Sequence, residues 1–268
     1  MIRPRIIPCL LVHNGGLVKT VRFSNPKYVG DPINAVRIFN EKEVDELIVL
    51  DIDATVQGKE PDYDLIRDLA SECRMPLCYG GGVSSVRQVE RIISLGVEKV
   101  AISSAAVRDH AVIRESARVV GSQSVVVVLD VREDRSRNLY GVWTHNGRVR
   151  TGWKVTDLAR RMAECGAGEI VVNSIDRDGA MEGYDLALAR LVRAAVDTPI
   201  TILGGAGSLR DIGNLIAEIG IVGAAAGSLF VFKGPYRAVL INYPSRIEKD
   251  ALVNDYIWSC SRCEPNAH

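Results

Sequence analysis

Short apolar runs alternate along this chain with stretches whose apolar residues recur every three or four positions. The runs are Ile6–Leu11, Glu46–Asp51, Met75–Tyr79, Glu98–Ser103, Ser124–Asp130, Glu169–Ser174, Pro199–Leu203 and Ile221–Ala226. They are rich in Val, Ile and Leu and mostly do not alternate with polar residues. That is the pattern of strands buried on both faces in a parallel sheet. The stretches between them carry helix start signals. Asp31-Pro32 offers an N-cap and a proline at the first helical position, ahead of Ile33, Val36, Ile38 and Phe39. Ser84 precedes Val86, Val89, Ile92 and Ile93, and Ser208 precedes Leu209, Ile212, Leu215, Ile216 and Ile219. Strand and helix alternating through eight units predict an α/β fold, a (β/α)8 TIM barrel over residues 1–243. Residues 244–268 are expected as a short C-terminal extension, in which Leu252, Tyr256 and Ile257 mark one amphipathic turn.

The second half of the barrel repeats the first. Tyr63-Asp64-Leu65 recurs 121 positions on as Tyr184-Asp185-Leu186, and Gly80-Gly81-Gly82 recurs 124 positions on as Gly204-Gly205-Ala206. Ile102-Ser103-Ser104 matches Ala226-Gly227-Ser228, and Asp51-Ile52-Asp53 matches Asp176-Arg177-Asp178 more loosely. The fold is therefore read as two half-barrels. In each half a glycine-rich turn ends one strand and a small Ser/Gly turn ends the next. Small residues let backbone N–H groups approach an anion, and a following helix adds its positive end. Two matched pairs at a half-barrel offset point to a ligand with two separated phosphates or phosphate-like groups.

Composition narrows the function. A chain of 268 residues fits one barrel domain. The formal net charge of zero at pH 7 argues against nucleic acid or a polybasic membrane surface as a partner. The longest apolar run, Gly220 to Phe232, is well short of the roughly 20 residues of a spanning helix. Arg3 and Arg5 lead straight into a strand, without a signal-peptide pattern. The six scattered cysteines suit reduced thiols, so a cytoplasmic protein is expected. Cys260 and Cys263 have metal-ligand spacing but no second pair, so no metal and no cofactor are expected. His13 and His110 read as loop or cap residues, and His145 as part of a hairpin turn after the fifth strand.

Several motifs carry a family resemblance. Ile6-Ile7-Pro8-Cys9-Leu10, Gly80-Gly81-Gly82, Gly121-Ser122-Gln123, Gly166-Ala167-Gly168-Glu169, Asp176-Arg177-Asp178-Gly179 and Gly204-Gly205-Ala206-Gly207 together resemble HisF, the cyclase subunit of imidazole glycerol phosphate synthase. The likeness runs from about Arg5 to Phe232. It implies a glutaminase partner at the N-terminal face, ammonia passing along the barrel axis, and lyase and cyclisation chemistry on a bisphosphate at the other end. It assigns phosphate contacts to Gly82, Ser103 and Ser104 in one half, and to Asp178, Gly179, Gly205, Gly227 and Ser228 in the other. Ser103 stands where the family usually has Asn. Lys19, on a mobile first loop, is implied to reach the substrate, and Asp130 matches one of two catalytic carboxylates. Arg5, Glu46, Lys99 and Glu169 match the charged ring through which ammonia enters.

The second catalytic carboxylate is missing, because Leu11 holds its place. One positioned acid–base group contributes about 10²–10⁴-fold, so the family's cyclisation should be crippled. Asp53 and His13 are the titratable neighbours from which a substitute would have to come. A closer likeness is to the WbuZ/AglZ-type paralogues of surface-polysaccharide synthesis. It is carried by Leu10-Leu11, Asn14-Gly15-Gly16-Leu17-Val18-Lys19-Thr20, the run Asn25 to Pro32, and the run Arg237 to Pro244. It implies a further partner, an ATP-using sugar amidotransferase, and conversion of an N-acetyl group to an acetamidino group. A true histidine-pathway cyclase and a non-catalytic scaffold that activates the glutaminase stand as the alternatives.

Overall fold

The structure is a computed structural model that describes residues 3–137, 139–234 and 236–261. Its core is a closed ring of eight parallel strands: β1 (Arg5–His13), β2 (Leu47–Asp51), β3 (Leu77–Gly80), β4 (Lys99–Ile102), β5 (Val125–Asp134), β6 (Glu169–Ser174), β7 (Ile200–Leu203) and β8 (Gly223–Ala226). Each strand pairs with the next, and β8 closes onto β1 through Arg5 opposite Gly223 and Ile7 opposite Ala225. All eight expected strands are present. β1 and β5 run further than expected because each continues into an antiparallel hairpin. Gly16–Val21 pairs with β1 and then with Ser24–Gly30; Leu139–Thr144 pairs with β5 and then with Val149–Lys154.

The period of two along a strand separates two cores. On β1, Ile6, Leu10 and Val12 face the helices, whereas Ile7, Cys9 and Leu11 face the barrel axis. The axial packing is completed by Ile48, Leu50, Cys78, Ala101, Val126, Val128, Val171, Leu203 and Ala225. Position 11 therefore lies on the inner row of β1, four residues above Ile7, at the C-terminal mouth.

Outside lie helices α1 (Pro32–Glu41), α2 (Tyr63–Glu72), α3 (Val86–Ser94), α4 (Ala111–Val120), α5 (Val155–Glu164), α6 (Leu186–Arg193), α7 (Leu209–Ile219) and α8 (Arg246–Ser261). Asp31 caps α1 by accepting from the Asn34 N–H, with Pro32 at the first position. Ser208 and Asp211 form a reciprocal capping box on α7. On α3 the cap is Ser85, not Ser84. Ser85 is the extended residue whose hydroxyl accepts from Gln88, while Ser84 donates to the Gln88 side chain.

The segment after Pro244 forms α8, which packs on α7 with Leu252 against Gly213. Polar contacts, among them two from Lys249 and Tyr243, tie this end of the chain to the base of the barrel. Lys249 Nζ bonds Asp45 at 2.7 Å, and the Tyr243 hydroxyl donates to the Ile6 carbonyl. Side chains from Asp255 onward, including Tyr256, Ile257 and Cys260, and the whole of Cys263 lie outside the described residues.

Candidate functional site

The N-terminal end of the barrel is closed by charge. Arg5 on β1 bonds both Glu46, which precedes β2, and Glu169 on β6, the latter at 2.7 Å. Lys99 on β4 bonds the same two acids at 2.8 Å each. The result is a cycle in which every charge touches two of opposite sign. Thr201 on β7 donates a further bond to Glu169. Both acids are buried, and the bases are partly so. Burial pushes the Glu169 carboxyl up, but Arg5 and Lys99 outweigh it and leave it below the usual carboxylate range. Burial lowers Lys99, and Glu169 and Glu46 more than restore it. These are not ordinary surface ion pairs: half of the charge is desolvated, which is tolerable only because the ring is fully paired.

At the opposite end the inner rows open into a cavity. It is lined by Leu11 and Cys9 of β1, Asp130 of β5 and Asn173 of β6, and by every residue for which the family resemblance implies substrate or phosphate contact: Lys19, Gly82, Ser103, Ser104, Asp178, Gly179, Gly205, Gly227 and Ser228. Asp130 accepts from Asn173 Nδ2 at 3.0 Å. Burial pushes its carboxyl up to about 7, with Asn173 opposing and Asp178 adding to the rise. Burial also holds the Cys9 thiol up at about 11, so it is protonated at neutral pH.

Leu11 shares this cavity with Asp130, and neither of the two titratable candidates for a substitute, His13 and Asp53, reaches it. His13 Nδ1 lies 2.7 Å from Asp53, whose other oxygen accepts from the Asn14 N–H at 2.8 Å. The pair stabilises the turn after β1, and neither residue lines the cavity. Asp51 does line it, but its carboxylate accepts from the Asp53 and Ala54 N–H groups.

Lys19 was expected on a mobile loop. It lies instead on the paired first hairpin, buried, with Nζ donating to the Cys9 carbonyl. The hairpin folds inward because Leu17 and Val18 are buried and because Asp178 ties it down. Asp178 accepts from the Thr20 hydroxyl at 2.7 Å and from the Phe23 N–H at 3.1 Å. Burial lowers the Lys19 ammonium, with Cys9 and Asp178 opposing. Lys19 stands directly at one cradle: a Cβ on Gly227 would meet its Nζ at 2.6 Å.

The two cradles end β3–β4 and β7–β8, four strands apart in an eight-strand ring, and so face each other across the mouth. Two of their glycines are obligatory. Gly82 has φ +70, and a Cβ there would lie 2.7 Å from the Lys59 carbonyl; Gly205 has φ +109, and its Cβ would overlap the Gly183 carbonyl. The helices that follow, Ser104–Arg108 and Ser228–Val231, are only about one turn long. The positive character expected there comes from first-turn N–H groups rather than from a long helix dipole.

Several cavity residues escaped the sequence reading. Asn173 was one more polar letter in an apolar strand. Thr55 and Phe23 gave no motif, and Thr20 stood in one without a role of its own. The turn containing His145 was expected, but its reach was not: Asn146 donates to the Ile52 carbonyl at 2.8 Å, so the second hairpin extends to the loop after β2 and places His145 and Asn146 in the cavity wall. His110 stands at the start of α4 without a side-chain cap and packs obliquely on Trp153. Among the described residues no His/Cys/Asp/Glu cluster could hold a metal ion, and no helix is long and apolar enough to cross a membrane.

A family model described as histidine biosynthesis protein matches residues 5–236. A protein of Leptospira interrogans named "Putative imidazole glycerol phosphate synthase subunit HisF" is 57% identical over 252 residues, covering 94% of this chain and 99% of its own. A Pseudomonas aeruginosa protein with a similar name is 52% identical over 244 residues, covering 91% and 97%. An imidazole glycerol phosphate synthase subunit HisF of Clostridium botulinum is 39% identical over 233 residues, covering 87% and 92%.

Proposed function

This chain belongs to the HisF family of histidine biosynthesis proteins, and from that premise we propose that it is the ammonia-receiving barrel of a glutamine-dependent amidotransferase complex in acetamidino sugar synthesis. The observation that carries the reading is one contrast between the two ends of the barrel. The four-charge ring at the bottom is complete, while at the top Asp130 shares its cavity with a leucine at position 11 instead of a second carboxylate. Machinery for admitting ammonia is kept, and the proton-transfer pair that cyclisation needs is not. A glutaminase docks at the face presenting Arg5, Glu46, Lys99 and Glu169. A separate ATP-using enzyme activates the N-acetyl oxygen for replacement by nitrogen. The opposed cradles, with Lys19, hold a ligand bearing two phosphate-like groups.

A second reading has its own support. The relatives' names specify imidazole glycerol phosphate synthase, and Asp130 and both cradles are retained. On that reading the chain performs the histidine-pathway cyclisation with Asp130 as its acid–base group. Complementation separates the two. The gene is placed in a histidine auxotroph that lacks its cyclase but keeps its glutaminase. The first reading expects no growth without histidine, and growth at a normal rate sinks it.

A further inference from the structure

Asn173 is only 6% exposed, yet its Oδ1 has no hydrogen-bond partner among the described residues. Its Nδ2 is committed to Asp130. Leaving a buried acceptor unpaired is costly, so the site calls for a donor. The absent side chain of Gly204 keeps that position open: a Cβ there would stand 3.4 Å from Oδ1. The donor must be small.

The position along the axis identifies it. On β6, Glu169, Val171 and Asn173 share the inner row, so Asn173 lies four residues above the charged ring. Between ring and pair the inner rows carry Ile7, Ile48, Cys78, Val126 and Val171, all apolar in contact. A neutral molecule crosses such a passage far more readily than a cation, which would have to shed its water without a partner. Neutral ammonia has three N–H donors, and the first acceptors above the apolar rows are Asn173 and Asp130.

Resting on the ammonia-receiving reading, we propose that Asn173 and Asp130 form the docking point for ammonia where the axis opens into the mouth. Asn173 Oδ1 accepts one N–H and Asp130 takes another. Asn173 is a positioning residue with a second effect. Its Nδ2 donates to Asp130 and so favours the carboxylate, which matters because a protonated Asp130 would convert ammonia to ammonium and remove the nucleophile. Cys9 and Asp178 face Asp130, and Lys19 faces both of these, so the charge at Asp130 is set by this cluster as well as by Asn173.

The test uses the full chain and ammonium chloride at alkaline pH, where free ammonia is present. NMR follows the Asn173 side-chain amide and the carbon-13-labelled Asp130 carboxyl. Both signals should shift saturably with ammonium chloride and stay still with tetramethylammonium chloride. Asn173→Leu, which keeps volume and removes the acceptor, should weaken the Asp130 response about tenfold, the effect of losing one hydrogen bond. It should also raise the Asp130 titration midpoint, which a merely space-filling role would not do. Asn173→Ala, which also removes the acceptor, serves if the leucine variant does not fold. Shifts that are absent, or equal in wild type and variant, overturn the proposal. Channelling is judged separately: in the assembled complex an external ammonia trap that captures all nitrogen from glutamine defeats the ammonia-receiving reading, whatever the NMR shows.

Discussion

Lys99→Met opens the charged ring while keeping an unbranched side chain only one atom shorter. It leaves Glu46 and Glu169, both with side chains under a tenth exposed, sharing Arg5 alone. Breaking a buried ion pair by removing one partner costs about 3–5 kcal/mol. Lys99 is 19% exposed, which places this case near the lower end, at about 3 kcal/mol. For a chain of this size each kcal/mol moves Tm by about 2–4 °C, so the expected fall is about 6–12 °C. Calorimetry at neutral pH reads it. Adding Glu46→Gln removes the excess negative charge and should recover about 1 kcal/mol or more, a coupling that distant sites do not show. The pH dependence follows by sign. Glu169 lies below its unfolded pKa, so its contribution is present above the usual carboxylate range and is lost as pH falls through the folded value. Lys99 lies above its unfolded pKa, so its contribution is present below that value and is lost as pH rises through the folded one. The ring thus stabilises across the whole neutral range, and Lys99→Met should abolish the alkaline limb. A Tm within about 2 °C of wild type, with no coupling to Glu46, would refute this account of the ring.

Two further outcomes are expected. The folded pKa of Asp130, about 7, lies above its unfolded value, so the relative stabilisation is full below about pH 4 and is lost as pH rises through 7. Asp130→Asn should therefore raise Tm at pH 8 relative to wild type and change it little at pH 4, as read by circular dichroism; an unchanged difference at both pH values contradicts a buried, neutral-leaning carboxyl. Gly205→Ala drives a Cβ into the Gly183 carbonyl at φ +109, so the turn must move; destabilisation of about 1–3 kcal/mol and at least tenfold weaker binding of inorganic phosphate are expected by calorimetry, and unaltered phosphate binding removes this turn from the cradle.

The barrel was legible because parallel strands buried on both faces leave continuous apolar runs, and glycine turns mark where they end. The strand ends were less so: β1 and β5 continue into hairpins whose pairing depends on contacts far along the chain, such as Thr20 with Asp178. For the same reason Lys19 read as a loop residue although it is buried. The ring's four residues were identifiable by resemblance, but not their mutual contact, because they lie up to 164 positions apart in the chain. Asn173 beside Asp130 left no signal at all, since a single polar residue at a strand end is equally compatible with a solvated loop. Leu11 is the opposite case: one apolar residue, ordinary in a buried strand, carries meaning only because its inner-row position puts it in the cavity with Asp130.

The leucine at position 11 is proposed as the main difference between this mouth and that of a cyclase, ahead of the serine at position 103. This is tested by formation of imidazole glycerol phosphate from the cyclase's bisphosphate substrate and ammonium salts, comparing wild type with Leu11→Asp. A silent wild type and a variant that gains about 10²-fold or more would support the account. A wild type that turns over at a full cyclase rate, with no gain from the aspartate, would contradict it.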